Sequence, residues 1–421
     1  MSTSRLPDKN SINKGNSYTT VPALVIGVDV SALNVIRSLG RRGIKVYAMG
    51  SHPKEYGAVS RFAKFVSCED LNDEMKVISG LIKISQHFGK KMVLLCTSDL
   101  HVLYVSKNRD LLKQYFYFVL PDHEVIEILM DKKNFYDFAK RHGFKVPETF
   151  FSNNLVDFEE IALSIPYPCV VKPLYRTRYW SDNVPPYKKV IKANSPQDIR
   201  QQLEDLGALN QPIILQEWIP GGDEQVYFCL AYIDQEGTPL AFLTGRKLRQ
   251  YPSLTGVTSL AETINHQQLV EITARLLSAA GCKGLCSVEF KYNAVDDSFK
   301  ITEPTVGRVD LQEGISTKAG LDIPFIAYQD ALGISQSTQT DYKKEVKWIN
   351  EPFEFNAFLT QIRDGKNRIS EFFRLYRGKC SFALLSADDP IPFFYFLKWA
   401  GKRSLRYLRT LLSKKSWERK F

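Results

Sequence analysis

Ser287-Val288-Glu289-Phe290-Lys291-Tyr292, a turn at Asp296-Asp297, and a return as Phe299-Lys300-Ile301-Thr302-Glu303-Pro304-Thr305-Val306-Gly307-Arg308 form the stretch from which the rest of the chain can be read. Two β-like runs each carry one acid, and an arginine follows at once. Side chains alternate along a strand, so the length of the turn decides which residues share a face. A three-residue loop, Val295-Asp296-Asp297, sets Glu289 opposite Glu303 on one face, whereas a four-residue loop sets them on opposite faces. Paired carboxylates supply the hard oxygens a divalent cation prefers, and an arginine fork matches a phosphate. A solvent-facing acidic hairpin is the competing reading, and the residues upstream decide between the two.

At 421 residues the chain is too long for one ordinary core, and its composition is that of a globular protein. Residues 1–20 are polar and read as a disordered tail, neither signal peptide nor anchor. No apolar run is long enough to cross a bilayer. Seven scattered cysteines, without a histidine or a second pair near Cys282 and Cys286, suggest reduced thiols in a cytoplasmic protein rather than a zinc site. The net charge of +10 belongs to the ends: residues 391–421 hold nine Lys or Arg against one acid, Glu418. Residues 21–390 are neutral overall, so nothing marks a nucleic-acid surface.

Ala23–Val28 reads as a buried strand, followed by a helix capped by Asp29 or Ser31 and a second strand at Ile44–Met49. With strands at Phe65–Cys68 and Met92–Thr97, this is a small doubly wound α/β domain over 21–120. Its first turn lacks the glycine spacing a dinucleotide pyrophosphate needs, which speaks against a nicotinamide cofactor. Asp131 then caps a helix from Lys132 to Arg141. Pro168–Pro173 is a buried strand carrying Lys172, a residue type seldom buried without a partner. A loop at 174–189, a strand at Pro212–Trp218, a Gly221-Gly222 turn and a hairpin of Glu224–Asp234 with Pro239–Leu243 complete the α/β region over 121–333. Residues 334–421 read as an extension of uncertain fold.

Asp131-Lys132, Lys172, the run Gln216-Glu217-Trp218-Ile219-Pro220-Gly221-Gly222-Asp223-Glu224 and the Glu289/Glu303 hairpin thus stand in order along the chain. In this respect residues 21–333 resemble the ATP-grasp superfamily, specifically its carboxylate–amine ligases, in which a small α/β domain precedes a two-lobed grasp module. The resemblance implies ATP and Mg²⁺ as ligands. It assigns Lys132 and Lys172 to the phosphates of ATP, Gln216, Glu217, Trp218 and Ile219 to the adenine, and Glu224, with Asp223 second, to the ribose. Glu289, Glu303 and Thr305 would hold the metal. Arg308, with Arg246 or Lys247, would act on the transferring phosphoryl group, and Asp99, Arg176 and Arg178 are candidates for substrate contact or loop closure.

The resemblance further implies a small carboxylate, such as an amino acid, joined to an amine through an acyl phosphate. A nucleotide-binding scaffold without turnover, and a ligase with a thiol or hydroxyl acceptor, stay open. The chain departs from the common Glu-x-Asn-x-Arg pattern in having Thr305 for Asn and Arg308 one position late. Its Glu-Pro-Thr-x-Gly-Arg form is similar to that of exopolysaccharide-linked ligase-like relatives.

From Leu397 onward, Leu405, Leu408, Leu411 and Leu412 recur at helical spacing, with Lys398, Lys402, Arg406 and Arg409 on another face. Together with Phe393–Phe396 and Trp399 this predicts a basic amphipathic helix. It can lie on the anionic inner face of a membrane or pack on its own domain.

Overall fold

The computed structural model describes residues 20–152, 155–174, 191–205, 212–363 and 369–403. Arg176, Arg178, the tail at 1–19 and the basic run at 404–421 lie outside the described residues.

The opening segment forms an all-parallel sheet of β1 (Ala23–Ile26), β2 (Val46–Gly50), β3 (Ala63–Ser67), β4 (Met92–Cys96) and β5 (Phe116–Tyr117), in the order β3-β2-β1-β4-β5. Every residue of β1, β2 and β4 is buried, as expected of parallel strands covered by helices on both faces. Of the two candidate caps, Asp29 is the one used: its Oδ1 accepts the Ala32 N–H at 2.9 Å and starts the helix Val30–Gly40. The strand order reverses between β1 and β4. A crevice therefore opens beyond their carboxyl ends, at Asp29 and Asp99.

A four-stranded antiparallel sheet follows, made of β6 (Thr149–Ser152), β7 (Cys169–Pro173), β8 (Ile191–Ala193) and β9 (Ile213–Glu217) in the order β6-β9-β7-β8. Cys169, Val171, Ile213 and Leu215 point to one face and pack with Phe158, Ile199 and Leu203 of two helices. By alternation Val170, Lys172, Ile214 and Gln216 point to the other.

The largest sheet has seven strands: β10 (Val226–Ile233), β11 (Pro239–Tyr251), β12 (Val257–Thr263), β13 (Gly284–Asn293), β14 (Ser298–Val306), β15 (Val346–Ile349) and β16 (Lys379–Phe382), in the order β14-β13-β10-β11-β12-β15-β16. Two expectations change here. β11 does not stop at Leu243 but runs to Tyr251, so the charge run from Arg246 to Arg249 lies within a strand. The segment beyond 334 supplies β15 and β16 to the same sheet, where they pair in parallel at its edge. The segment after β16 is tied to the first domain by Arg37. Its guanidinium pairs with buried Asp389 and donates to the carbonyls of Ala383 and Leu384. Six of the seven cysteines are buried in these cores.

Candidate active site

The β13–β14 hairpin has the pairing the sequence implied but reaches it by another route. Its loop is four residues, 294–297, since Asn293 pairs with Ser298 and Phe290 with Ile301. A regular ladder from that loop would set Glu289 opposite Thr302 and turn Glu303 to the other face. A β-bulge between Phe290 and Glu289 inserts Thr302 as the extra residue and restores Glu289 opposite Glu303. The Thr302 hydroxyl donates to the Glu289 carbonyl at 3.2 Å and lies 3.3 Å from its carboxylate, holding the bulge. Cys286, Val288, Phe290, Phe299 and Ile301 fill the core behind the hairpin. Glu289, Lys291, Lys300, Glu303 and Thr305 share the opposite, cleft-facing side.

Lys247 joins that face from β11. Its buried ammonium lies 2.5 Å from a Glu289 oxygen and 3.1 Å from Gln250 Oε1. The structure does not bring Arg246 there. It is the strand neighbour of Lys247 and so points to the other face, where it pairs with Glu262 at 2.7 Å beside Tyr227. Arg249, displaced by a further bulge after Lys247, pairs with Glu354.

Across the cleft, Lys172 donates to Gln216 Oε1 at 2.8 Å, and Gln216 donates in turn to Thr149 Oγ1 at 2.9 Å. Burial pushes the Lys172 ammonium below its usual range. The Glu303 and Glu289 charges oppose that shift, and the charge of Lys132 adds to it. Lys132 reaches over from its helix to donate to the carbonyl of Pro173, next to Lys172, at 3.1 Å. Two lysines from separate elements therefore converge, and the charge of Lys172 is felt at Glu303.

At the other end of the cleft the expected nucleotide contacts divide. The Glu217 carboxylate is taken: Lys300 donates to both its oxygens at 2.7 Å and the Glu148 N–H at 2.9 Å. Only the backbone here is left for a base edge. The Glu217 N–H goes to the Glu148 carbonyl and the Trp218 N–H to that of Pro168, while Ile219 N–H meets no acceptor among the described residues. The Trp218 indole lies under Lys192, whose ammonium is 4.5 Å from the ring centre.

Asp223 is not the free acid that a ribose would need. It is buried and accepts from the N–H groups of Gln250 and Leu254, the Gln250 amide and the Ser253 hydroxyl, so it organises the loop after β11. Glu224, next in sequence, is exposed and without a partner among the described residues. The Gly221-Gly222 turn before it is fixed by Lys291, which donates to both glycine carbonyls at 3.1 and 2.7 Å. Lys291 and Lys300 escaped the sequence reading. The signal was present, since Lys291 stands two residues from Glu289 and so on its face.

Arg308 explains its own late position. Gly307 occupies the left-handed region at φ 74°, and a Cβ there would meet Val102 and Leu120 at under 3.0 Å, so only glycine suits this turn. The turn sets Arg308 beside Cys96 at the end of β4, where its guanidinium pairs with Asp99. Asp29 also feels its charge. The crevice of the first sheet thus opens onto the acidic hairpin. Ser287, opposite Thr305, holds Asp310 at 2.6 Å on the same side.

These two lobes and the crevice beside them can be compared with known proteins. No family model matches the chain. It is 20% identical over 369 residues to the D-aspartate ligase of Enterococcus faecium, a match spanning 82% of this chain and 85% of that protein. An ADP complex of N5-carboxyaminoimidazole ribonucleotide synthetase superposes with a TM-score of 0.59 at 15% identity, covering 76% of this chain and 80% of the other. A biotin carboxylase from Campylobacter jejuni, in complex with β,γ-ATP, gives 0.60 at 15% identity over 79% and 75%. The chain has the ATP-grasp fold.

The donor set of this cleft suits Mg²⁺. Magnesium is held by one or two carboxylates together with phosphate oxygens and water, not by an all-protein cage. Among the described residues no group of three or more His, Cys, Asp or Glu gathers as a cage would require. Glu289 and Glu303 face each other instead, with the Thr305 hydroxyl on the same side. Glu303 is exposed at its surface yet crowded by the protein around it. That crowding, followed by the charge of Glu289, raises its carboxyl above the usual range. It has no hydrogen-bond donor or ion-pair partner among the described residues, which is the state a divalent cation would relieve.

Proposed function

We propose that the chain is an ATP- and Mg²⁺-dependent carboxylate–amine ligase, acting in the cytoplasm, that forms an amide through an acyl phosphate. One observation carries this reading: the bulge at Thr302 sets two carboxylates face to face, within reach of the Lys172 charge. The name of the D-aspartate ligase relative supports an amino acid or similar small carboxylate as donor.

In this reading the adenine edge lies against the backbone at 217–219 and Glu224 accepts from the ribose hydroxyls. Lys132 and Lys172 act on the phosphates as point charges. Mg²⁺, held by Glu289, Glu303 and Thr305, would neutralise phosphate charge when bound. A donor carboxylate oxygen attacks the γ-phosphorus, the bond from that phosphorus to the bridging oxygen breaks, and ADP leaves with the electron pair. The amine nitrogen then attacks the acyl carbon, phosphate departs, and the surplus proton passes to it or to water.

Catalysis here is mostly positioning and charge neutralisation. Lys247 and Arg308 are the cations nearest the transferring group. Each starts in an ion pair, with Glu289 and Asp99, and exchanges it for phosphate oxygens. The test is release of ADP and phosphate dependent on both a carboxylate and an amine, screened over amino acids. ATP-dependent thermal stabilisation without ADP formation under any pair would overturn ligation in favour of a binding role. A requirement for a thiol or hydroxyl acceptor would overturn the amine.

A further inference from the structure

The helix at 391–403 docks on the body along a single line. Phe396 and Ala400 are buried and Phe393 packs on the same core, while Phe396 and Trp399 set their rings edge-on against Phe355. The helical repeat turns Phe394 and Leu397 away from that line, and they are 61% and 45% exposed. Ile391, Tyr395 and Trp399, across Lys398 and Lys402 on the same helix, are each more than a third exposed. Single exposed apolar residues are ordinary, but five large ones within nine consecutive positions of one helix are not.

Lys398, Lys402 and Arg403 are exposed among them, and the Arg403 guanidinium lies 5.5 Å from the Trp399 ring centre. A helix packed wholly on its own domain would have turned these apolar side chains inward.

We propose that this face seats the protein on an anionic lipid surface. Phe394 and Leu397 enter the acyl boundary, and Lys398, Lys402 and Arg403 meet the phosphate headgroups. Aromatic and aliphatic side chains flanked by snorkelling cations are what an interfacial helix uses. The excess of nine basic residues over one acid in 391–421 favours an anionic surface and repels a second copy of the same face. No helix among the described residues is long and apolar enough to cross a membrane, so the contact is peripheral.

The test is co-sedimentation of the full chain with vesicles of phosphatidylcholine alone and of phosphatidylcholine with phosphatidylglycerol. Binding is expected only to the mixed vesicles, weakening with salt. It should drop by about tenfold or more in Phe394→Ala/Leu397→Ala and, separately, in Lys398→Glu/Lys402→Glu. These side chains are exposed, so an unchanged melting temperature should show that both variants fold. No binding to the anionic vesicles, or binding that the first double variant leaves intact, would overturn the proposal. So would a dimer that the same variant dissociates, since the face would then join two copies.

Discussion

The two sheets that wall the cleft differ in how their charges are met. On the seven-stranded sheet four cations have partners before any ligand arrives: Lys247 has Glu289, Lys291 the two glycine carbonyls, Lys300 the Glu217 carboxylate and Arg249 Glu354. On the four-stranded sheet Lys172 is hydrogen-bonded, among the described residues, only to a neutral amide, and burial lowers its pKa. Its counterpart across the cleft is Glu303, an acid with no donor among the described residues. One wall is thus cross-linked into a platform, while the charges that stay unsatisfied are those a magnesium–polyphosphate would neutralise. An unpaired charge in a cleft costs stability in the free protein, and persists here where binding can relieve it.

The largest test of that contrast is loss of its unsatisfied members. Lys172→Ala and Glu303→Gln should each lower kcat/KM for ATP-dependent ligation by about 10²–10³-fold. Activity retained in Lys172→Ala would mean that the small sheet does not carry phosphate charge. The platform offers a sharper internal comparison. Lys247→Ala should cost on the order of 10²-fold in kcat. Arg246→Ala, its neighbour on the wrong face, should stay within roughly fivefold, as suits a half-exposed ion pair. Equal losses would show that the strand phase of β11 has been misread.

The strut between the lobes comes next. Lys300→Ala leaves the Glu217 carboxylate with one donor and should cost about 2 kcal/mol in denaturant unfolding. An unchanged midpoint would show that the two lobes are held together elsewhere.

The smallest effect is a pH dependence. The Glu303 carboxyl is held above its ordinary range, so the fold prefers it protonated. Its contribution is present at low pH and is lost as pH rises through the raised value. Without nucleotide, Glu303→Gln should therefore melt with wild type below the carboxylate range and above it at neutral pH. The reverse order would reveal a cation already seated on Glu303 in the free protein.

Much of the scaffold was legible from residue types alone. Asp131 caps its helix as read, with bonds to the N–H groups of Lys133 and Asn134, and Lys172 ends its strand. These features obey rules that act over a few residues: a short acceptor side chain caps a helix, and a buried apolar run makes a strand. The hairpin was right in its pairing and wrong in its loop, because a bulge corrected the phase. Nothing in Ile301-Thr302-Glu303 announces a bulge; it appears only where β13 sets the register. Asp223 and Glu224 look interchangeable along the chain, and Gln250, Ser253 and Leu254 separate them from almost thirty residues away.

The sequence by itself determined the order of the parts: a doubly wound start, two lysines, a hinge with an acid after two glycines, and an acidic hairpin ending in arginine. It also determined that 391–421 would be basic and amphipathic. Tertiary structure alone decided that Lys247 and not Arg246 faces the acids, that Arg308 meets Asp99 across 209 positions, and that the 391–403 helix buries Phe396 while leaving Phe394 outside. The physical reason is one of range. Propensity, capping and alternation are properties of neighbours along the chain, whereas the phase of a strand and the partner of a charge are set by whichever distant element packs against it.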